Sequence, residues 1–292
     1  MVLSLLLISL LAACAGTAAT TQTPTSSAPV TTTAAAAKPQ GELVAALPNF
    51  GSENWLPWLD PVMPNLDDLV YDMLIYYDEV NHKFIPGLAE SWDVSPDGLT
   101  LTYHLRKGVQ FSDGWGELSS ADIKFNFEKH ASPKSVGKLA QTRRIASMDT
   151  PDPYTLVVHF KNPNPTFFSA LSLGDGGICQ GIVCQKYVET VGEDIAGLKP
   201  IGSGPYRLID GKSGSYYKLE AQDSHWRVVP EFKYITMRMI PEVSTVVAAL
   251  KNKEIDLASV TPEQLPDLKA AGVATEVSPA GGGIIAAGFG GL

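Results

Sequence analysis

Residues 87–114 read GLAESWDVSPDGLTLTYHLRKGVQFSDG and bring Ser91, Ser95, Ser112, His104, Asp93, Asp97 and Asp113 into one short span. These are the side-chain types of a nucleophilic triad, in which a base within hydrogen-bond reach of a hydroxyl is oriented by a third group. Their spacing argues for another role. Leu99, Leu101, Tyr103 and Leu105 alternate with Thr100, Thr102, His104 and Arg106, the two-residue period of a half-buried strand with His104 on its wetter face. SPDG before it is turn chemistry, with Pro96 presetting φ and Gly98 tolerating a positive one. Trp92 and Val94 lie on the preceding strand of a hairpin, and FSDG makes a second turn. No strained Gly-Ser-Gly elbow presents a nucleophile, so the span reads as scaffold.

The other reactive groups are sparser. GSG at 202–204 leads into a strand, and GKS at 211–213 lacks the upstream glycine of a phosphate loop, so no nucleotide site is expected. Cys179 and Cys184 stand five apart in GGICQGIVCQ, without two further ligands at zinc spacing. Export would permit a disulfide between them; two buried thiols fit the sequence equally well. His82, His130 and His225 are isolated and read as surface residues rather than metal ligands. No catalytic residue, metal or cofactor is expected.

The chain has 292 residues, 45% hydrophobic and 18% charged, with a net charge of −9. That balance offers no basic footprint for nucleic acid. Residues 1–37 carry no charged side chain. VLSLLLISLLAA at 2–13 is too short to span a bilayer and resembles the apolar core of a secretory signal. It runs into Leu11-Ala12-Ala13-Cys14, which resembles the lipobox of bacterial lipoproteins and implies cleavage before Cys14 and its lipidation. The basic segment expected ahead of such a core is missing, as if the given start lay inside the true signal. An ordinary signal peptide with a chance cysteine is the alternative. Residues 15–40 are Thr/Ala/Ser/Pro-rich and read as a disordered tether.

From residue 41 the elements alternate. GELVAALPN opens as a strand. Leu66, Leu69, Val70, Met73, Leu74 and Tyr77 share helical spacing behind a cap at Asn65. LSSADIKFNFEKH is a helix capped at Ser119, YTLVVHF a strand, NPTFFSAL the start of a helix, and GIVCQKYVETVG a brief strand running into one. Tyr206, Leu208, Tyr217 and Leu219 suggest paired strands. KYITMRMIP is a strand, STVVAALKNKEID a helix capped near Ser244, IDLA a strand, and TPEQLPDLKAAG a helix with a Thr261–Gln264 capping box before the strand VATEV. Hairpins mixed with βαβ-like returns make an α/β fold with mixed sheets.

Four stretches in this order carry a resemblance: residues 87–114 followed by SSADIKFNFEK, then IGSGPYRL, then DSHW, then MRMIPEVSTVVAALKNKEIDLA. Together they resemble the extracellular solute-binding proteins of family 5, the peptide- and nickel-type binding components of ABC importers. The resemblance covers roughly residues 41–292. It implies a periplasmic-binding-protein-like class II lobe (about 41–77 and 199–270) with an additional scaffold subdomain (78–198), and 271–292 as the start of the crossing to a second lobe. Family members are longer, so the second lobe is expected to be missing here and the chain to be a fragment. The implied protein is a lipid-anchored, extracytoplasmic monomer that captures peptide or another small solute and delivers it to a permease and its ATPase, on the periplasmic or cell-surface side. The loop after the first strand often lines the cleft in this family, which points to Asn54, Trp55 and Trp58; Gly176 and Gly177 could present backbone groups to a peptide. A tethered secreted hydrolase, or a surface receptor module without transport, are the competing readings.

Overall fold

The apolar run Leu43–Leu47 lies in β1 (Glu42–Leu47), the fourth strand of a seven-stranded mixed sheet. The computed structural model describes residues 38–59, 66–78, 81–136, 142–164, 167, 181–277 and 284–287. β1 runs parallel to β12 (Tyr234–Met239) on one side and to β13 (Leu257–Val260) on the other. A strand covered on both faces needs no polar side, which is why β1 lacks alternation. Its neighbours Ala45 and Ala46 enter two different cores. From β12 the chain crosses over through α5 (Val243–Lys251) to β13, burying Val246, Val247 and Leu250 with Ile255 and Leu268. At roughly 1.5–3 kcal/mol for each such side chain, this face is a large share of what holds the crossover in place. The hairpin β10 (Tyr206–Lys212) and β11 (Tyr216–Ala221) extends the sheet beyond β12. Past β13, α6 (Leu265–Ala270) precedes β14 (Ala274–Val277) and β15 (Ile284–Ala287), giving the order β10-β11-β12-β1-β13-β15-β14.

A second sheet is antiparallel: β4 (Ala89–Val94), β5 (Thr100–Leu105), β9 (Thr155–Phe160) and β8 (Ile145–Asp152), in that spatial order. Leu101, Tyr103, Leu105, Leu156 and Val158 bury the face toward α2 (Ser120–Ala131), while His104 and His159 stay half-exposed beside Asp93 and Asp149 at 3.1 Å. Ser119 and Asp122 close a reciprocal capping box on α2. Two short ladders, β2 (Ile75–Asp78) with β3 (Lys83–Pro86) and β6 (Gln110–Phe111) with β7 (Gly116–Glu117), complete the strands described. Helices α3 (Gln185–Val191) and α4 (Glu193–Ala196) follow the segment 181–184, which forms no strand.

Beyond the brief strand expected at 181–184, where none forms, the sequence pattern misplaced three features. The helix expected over 65–77 is only one turn, α1 (Asp67–Val70), after which the chain extends at Tyr71 (φ −115°, ψ 146°) and enters β2. Its carbonyls are taken by distant amides instead: Gly204 donates to Val70 at 2.8 Å, Ile182 to Asp72 at 3.0 Å, Leu88 to Met73 and Ala89 to Leu74 at 2.9 Å. Tertiary hydrogen bonds thus replace the helical ladder. Second, Ser244 lies inside the first turn of α5: the N-cap position is Glu242, which makes no side-chain capping hydrogen bond. Third, His130 and His225 are not surface residues: His130 is buried, and the His225 side chain is 2% exposed. The expected cap Asn65 and most of NPTFFSAL lie outside the described residues.

Candidate functional site

β1 sits at a topological switch point, since β12 lies on one side of it and the α5 crossover delivers β13 to the other. In open α/β sheets, ligands gather outside the carboxyl ends of the strands at such a point. The segment leaving the carboxyl end of β1 is residues 48–59, and it is pinned from several directions. Glu53 (φ 59°) accepts from the Gly214 amide at 2.9 Å and from Tyr217 Oη at 2.6 Å. Asn54 Oδ1 accepts from the Leu56 amide at 3.0 Å. The Trp55 amide donates to the Gly197 carbonyl at 2.8 Å, and the Trp55 carbonyl accepts from Tyr71 Oη at 2.9 Å. The Trp58 carbonyl accepts from the Val136 amide at 3.0 Å. One loop therefore joins the β10–β11 hairpin, the 197 turn and the segment after α2, leaving Asn49, Gly51 and Ser52 exposed at its tip.

Both indoles of this loop belong to the core. Trp55 is 1% exposed and meets Tyr217 edge-on at 5.4 Å; Trp58 is 2% exposed, edge-on to Phe125 and His130 at 5.8 and 6.1 Å. The flat apolar surface expected of them is spent on packing under the loop, and Asn54 on bracing the turn. Of the remaining expected positions, Gly176, Gly177, Cys14 and Cys179 lie outside the described residues. Cys184 is buried, and burial pushes its thiol pKa up to about 11. Among the described residues no cluster of His, Cys, Asp and Glu could hold a metal, and no helix is long and apolar enough to cross a membrane.

A second constellation was not anticipated. Asp72 is fully buried, and its carboxylate gathers four donors: Tyr76 Oη on Oδ1 at 3.0 Å, and on Oδ2 Ser203 Oγ at 3.0 Å, His225 Nε2 at 3.1 Å and Trp226 Nε1 at 2.7 Å. His225 Nδ1 accepts from the amides of Arg227 and Val228 at 3.3 and 3.1 Å, so the ring proton sits on Nε2 and points at Asp72. Arg106 and Arg227 cover the Trp226 ring, and Arg227 also lies 4.4 Å over Tyr76. The stretches GSG and DSHW are thus locked together by one carboxylate contributed from 131 residues upstream of Ser203. The available signal was a lone charge in the apolar run LVYDMLIYY, because a buried carboxylate must collect partners. The arrangement ties the segments around residues 72–76, 203 and 225–227 together.

Comparison with known proteins places this geometry. A family model described as "Bacterial extracellular solute-binding proteins, family 5 Middle" matches residues 83–289. The glutathione-binding protein GsiB of Salmonella paratyphi A is 30% identical over 177 residues, covering 60% of this chain and 33% of that protein. Among solved structures, DppA of Helicobacter pylori in complex with the peptide STSA matches with a TM-score of 0.71 and 26% identity, over 82% of this chain and 51% of that one. NikZ of Campylobacter jejuni in complex with Ni(L-His) matches with a TM-score of 0.73 and 27% identity, over 82% of this chain and 47% of that one. The chain spans about a third of the curated relative's length and about half of these solved chains.

Proposed function

Because the chain belongs to the bacterial extracellular solute-binding proteins of family 5, we propose that it supplies the solute-capturing surface of an ABC importer's binding component, with peptides as its solute. The reading is supported by the switch-point edge of the large sheet, where a loop braced by Glu53 carries exposed Asn49, Gly51 and Ser52. A rigid base with exposed backbone at its tip suits a peptide main chain, whose amides and carbonyls need fixed partners. In this proposal residues of about 41–77 and 199–270 form one lobe and 78–198 an added subdomain. Asn54, Trp55 and Trp58 act from beneath the cleft, by holding its loop, while Gly176 and Gly177 add backbone groups. The protein works as a monomer outside the cytoplasmic membrane, tethered through a lipid on Cys14, and hands its solute to a permease. No covalent chemistry is assigned to any residue.

The test is calorimetry and native mass spectrometry of the full-length protein with a pool of short peptides, beside nickel–histidine; residues 41–292 alone are expected to bind no peptide below about 1 mM, since a cleft binder draws its affinity from enclosing the ligand. Peptide in the bound fraction, weakened about tenfold or more by Glu53→Gln with the fold intact, is the expected result. Peptide hydrolysis, or nickel–histidine bound in preference to every peptide, would overturn it.

A further inference from the structure

Beside the loop that leaves β1, and sharing Tyr217 with its brace, a cavity of about 500 Å³ opens between β10 and the turn at Asp113–Trp115, with Tyr187 of α3 and the 198–201 segment in its lining. Its volume falls in the range of small-molecule sites, roughly 300–1,000 Å³. Trp115 and Tyr187 stand edge-to-face with ring centroids 4.8 Å apart, and Tyr217 lines the same space. Leu198, 67% exposed, and Ile209, 40% exposed, both line it. Ile209 lies where the pairing of β10 with β11 shifts register, between Leu208 and Asp210. Two large apolar side chains beside one cavity gain stability only if something covers them.

We propose that this cavity is a second, small-molecule site that takes an organic ammonium carrying an apolar body. Aromatic faces attract a cation through their quadrupole, and carboxylates supply the counter-charge. Asp113 and Asp210 both line the cavity. Asp113 is held in the left-handed region (φ 54°), and its Oδ1 is paired with Arg207 at 3.1 Å. Asp210 accepts from its neighbour's amide at 2.9 Å and from Tyr216 Oη at 2.7 Å, and each oxygen has a second lone pair to give. Lys199, the cation in the lining, is exposed, and its carbonyl accepts from Tyr187 Oη at 2.8 Å. The apolar walls match the body of the ligand and the two carboxylates its head.

Phenethylamine and phenylacetate, which share a ring and differ in the sign of charge, are the probes. Calorimetry of the purified chain is expected to show the amine binding with Kd of about 1 mM or tighter and the acid at least about tenfold weaker. Asp210→Asn should weaken the amine about tenfold and leave the acid no weaker. Asp113→Asn is the second variant, since asparagine also tolerates the left-handed conformation; an unchanged thermal midpoint identifies folded variants. Equal binding of amine and acid, amine binding untouched by both substitutions, no binding at all, or displacement of the amine by a peptide bound at the β1 edge would each overturn the proposal.

Discussion

At the scale of single residues, three buried polar side chains carry measurable consequences. Asp72→Ala leaves four donors without an acceptor and is expected to cost about 3 kcal/mol or more in a denaturant titration. Asp72→Asn should cost less, because an amide oxygen can still take the Trp226 and His225 protons while the Tyr76 hydroxyl turns to accept. His130, buried against Trp58, has its pKa pushed down to about 3 by desolvation. A histidine held neutral in the fold gives stability that is complete above its unfolded pKa near 6.5 and is lost as pH falls toward 3. His130→Gln should therefore remove a loss of about 2 kcal/mol between pH 6.5 and pH 5, read as the difference between wild-type and variant titrations. Cys184, with its pKa near 11, should resist alkylation at pH 8 in the folded chain. After unfolding without reductant, labelling at both Cys179 and Cys184 means free thiols, and labelling at neither means a disulfide.

At the scale of elements, the loop Ile201–Tyr206 shows why two glycines precede a proline. Neither needs a positive φ; both need the absence of a side chain. A Cβ on Gly202 would lie 2.1 Å from the Val70 carbonyl oxygen and 2.4 Å from the Tyr71 ring, and one on Gly204 would lie 2.5 Å from the Val70 carbonyl carbon. Gly202→Ala should thus destabilise by roughly 2 kcal/mol or more, as backbone cannot yield the way a flexible side chain can. Thermal midpoints of Gly202→Ala and Gly204→Ala would show it, and unchanged midpoints would mean that the contact between α1 and this loop is looser than its geometry. The same contact ends α1 after one turn: Val70 gives its carbonyl to Gly204 and not to a helical amide.

At the scale of the whole molecule, Cys14→Ser is expected to abolish lipid labelling and release the protein from the membrane fraction; retention would remove the anchor from the proposal. Local pattern was enough to determine the hairpin of β4 and β5, the capping boxes at Ser119 and Thr261, and the mixed α/β character, because alternation, caps and turn residues act within a few positions. The order of four such stretches was enough to suggest the family that the matched residues 83–289 establish. Periodicity failed at residues 65–77, where apolar spacing fits a helix but the carbonyls of Val70, Asp72, Met73 and Leu74 are claimed by amides from elsewhere in the chain. It also could not say that Trp55, Trp58, His130 and His225 are inside, or that Asp72 joins GSG to DSHW. Burial and buried charge are settled by which distant segments meet, and that is decided by tertiary packing, where a carboxylate finds its donors across 131 to 154 residues of chain.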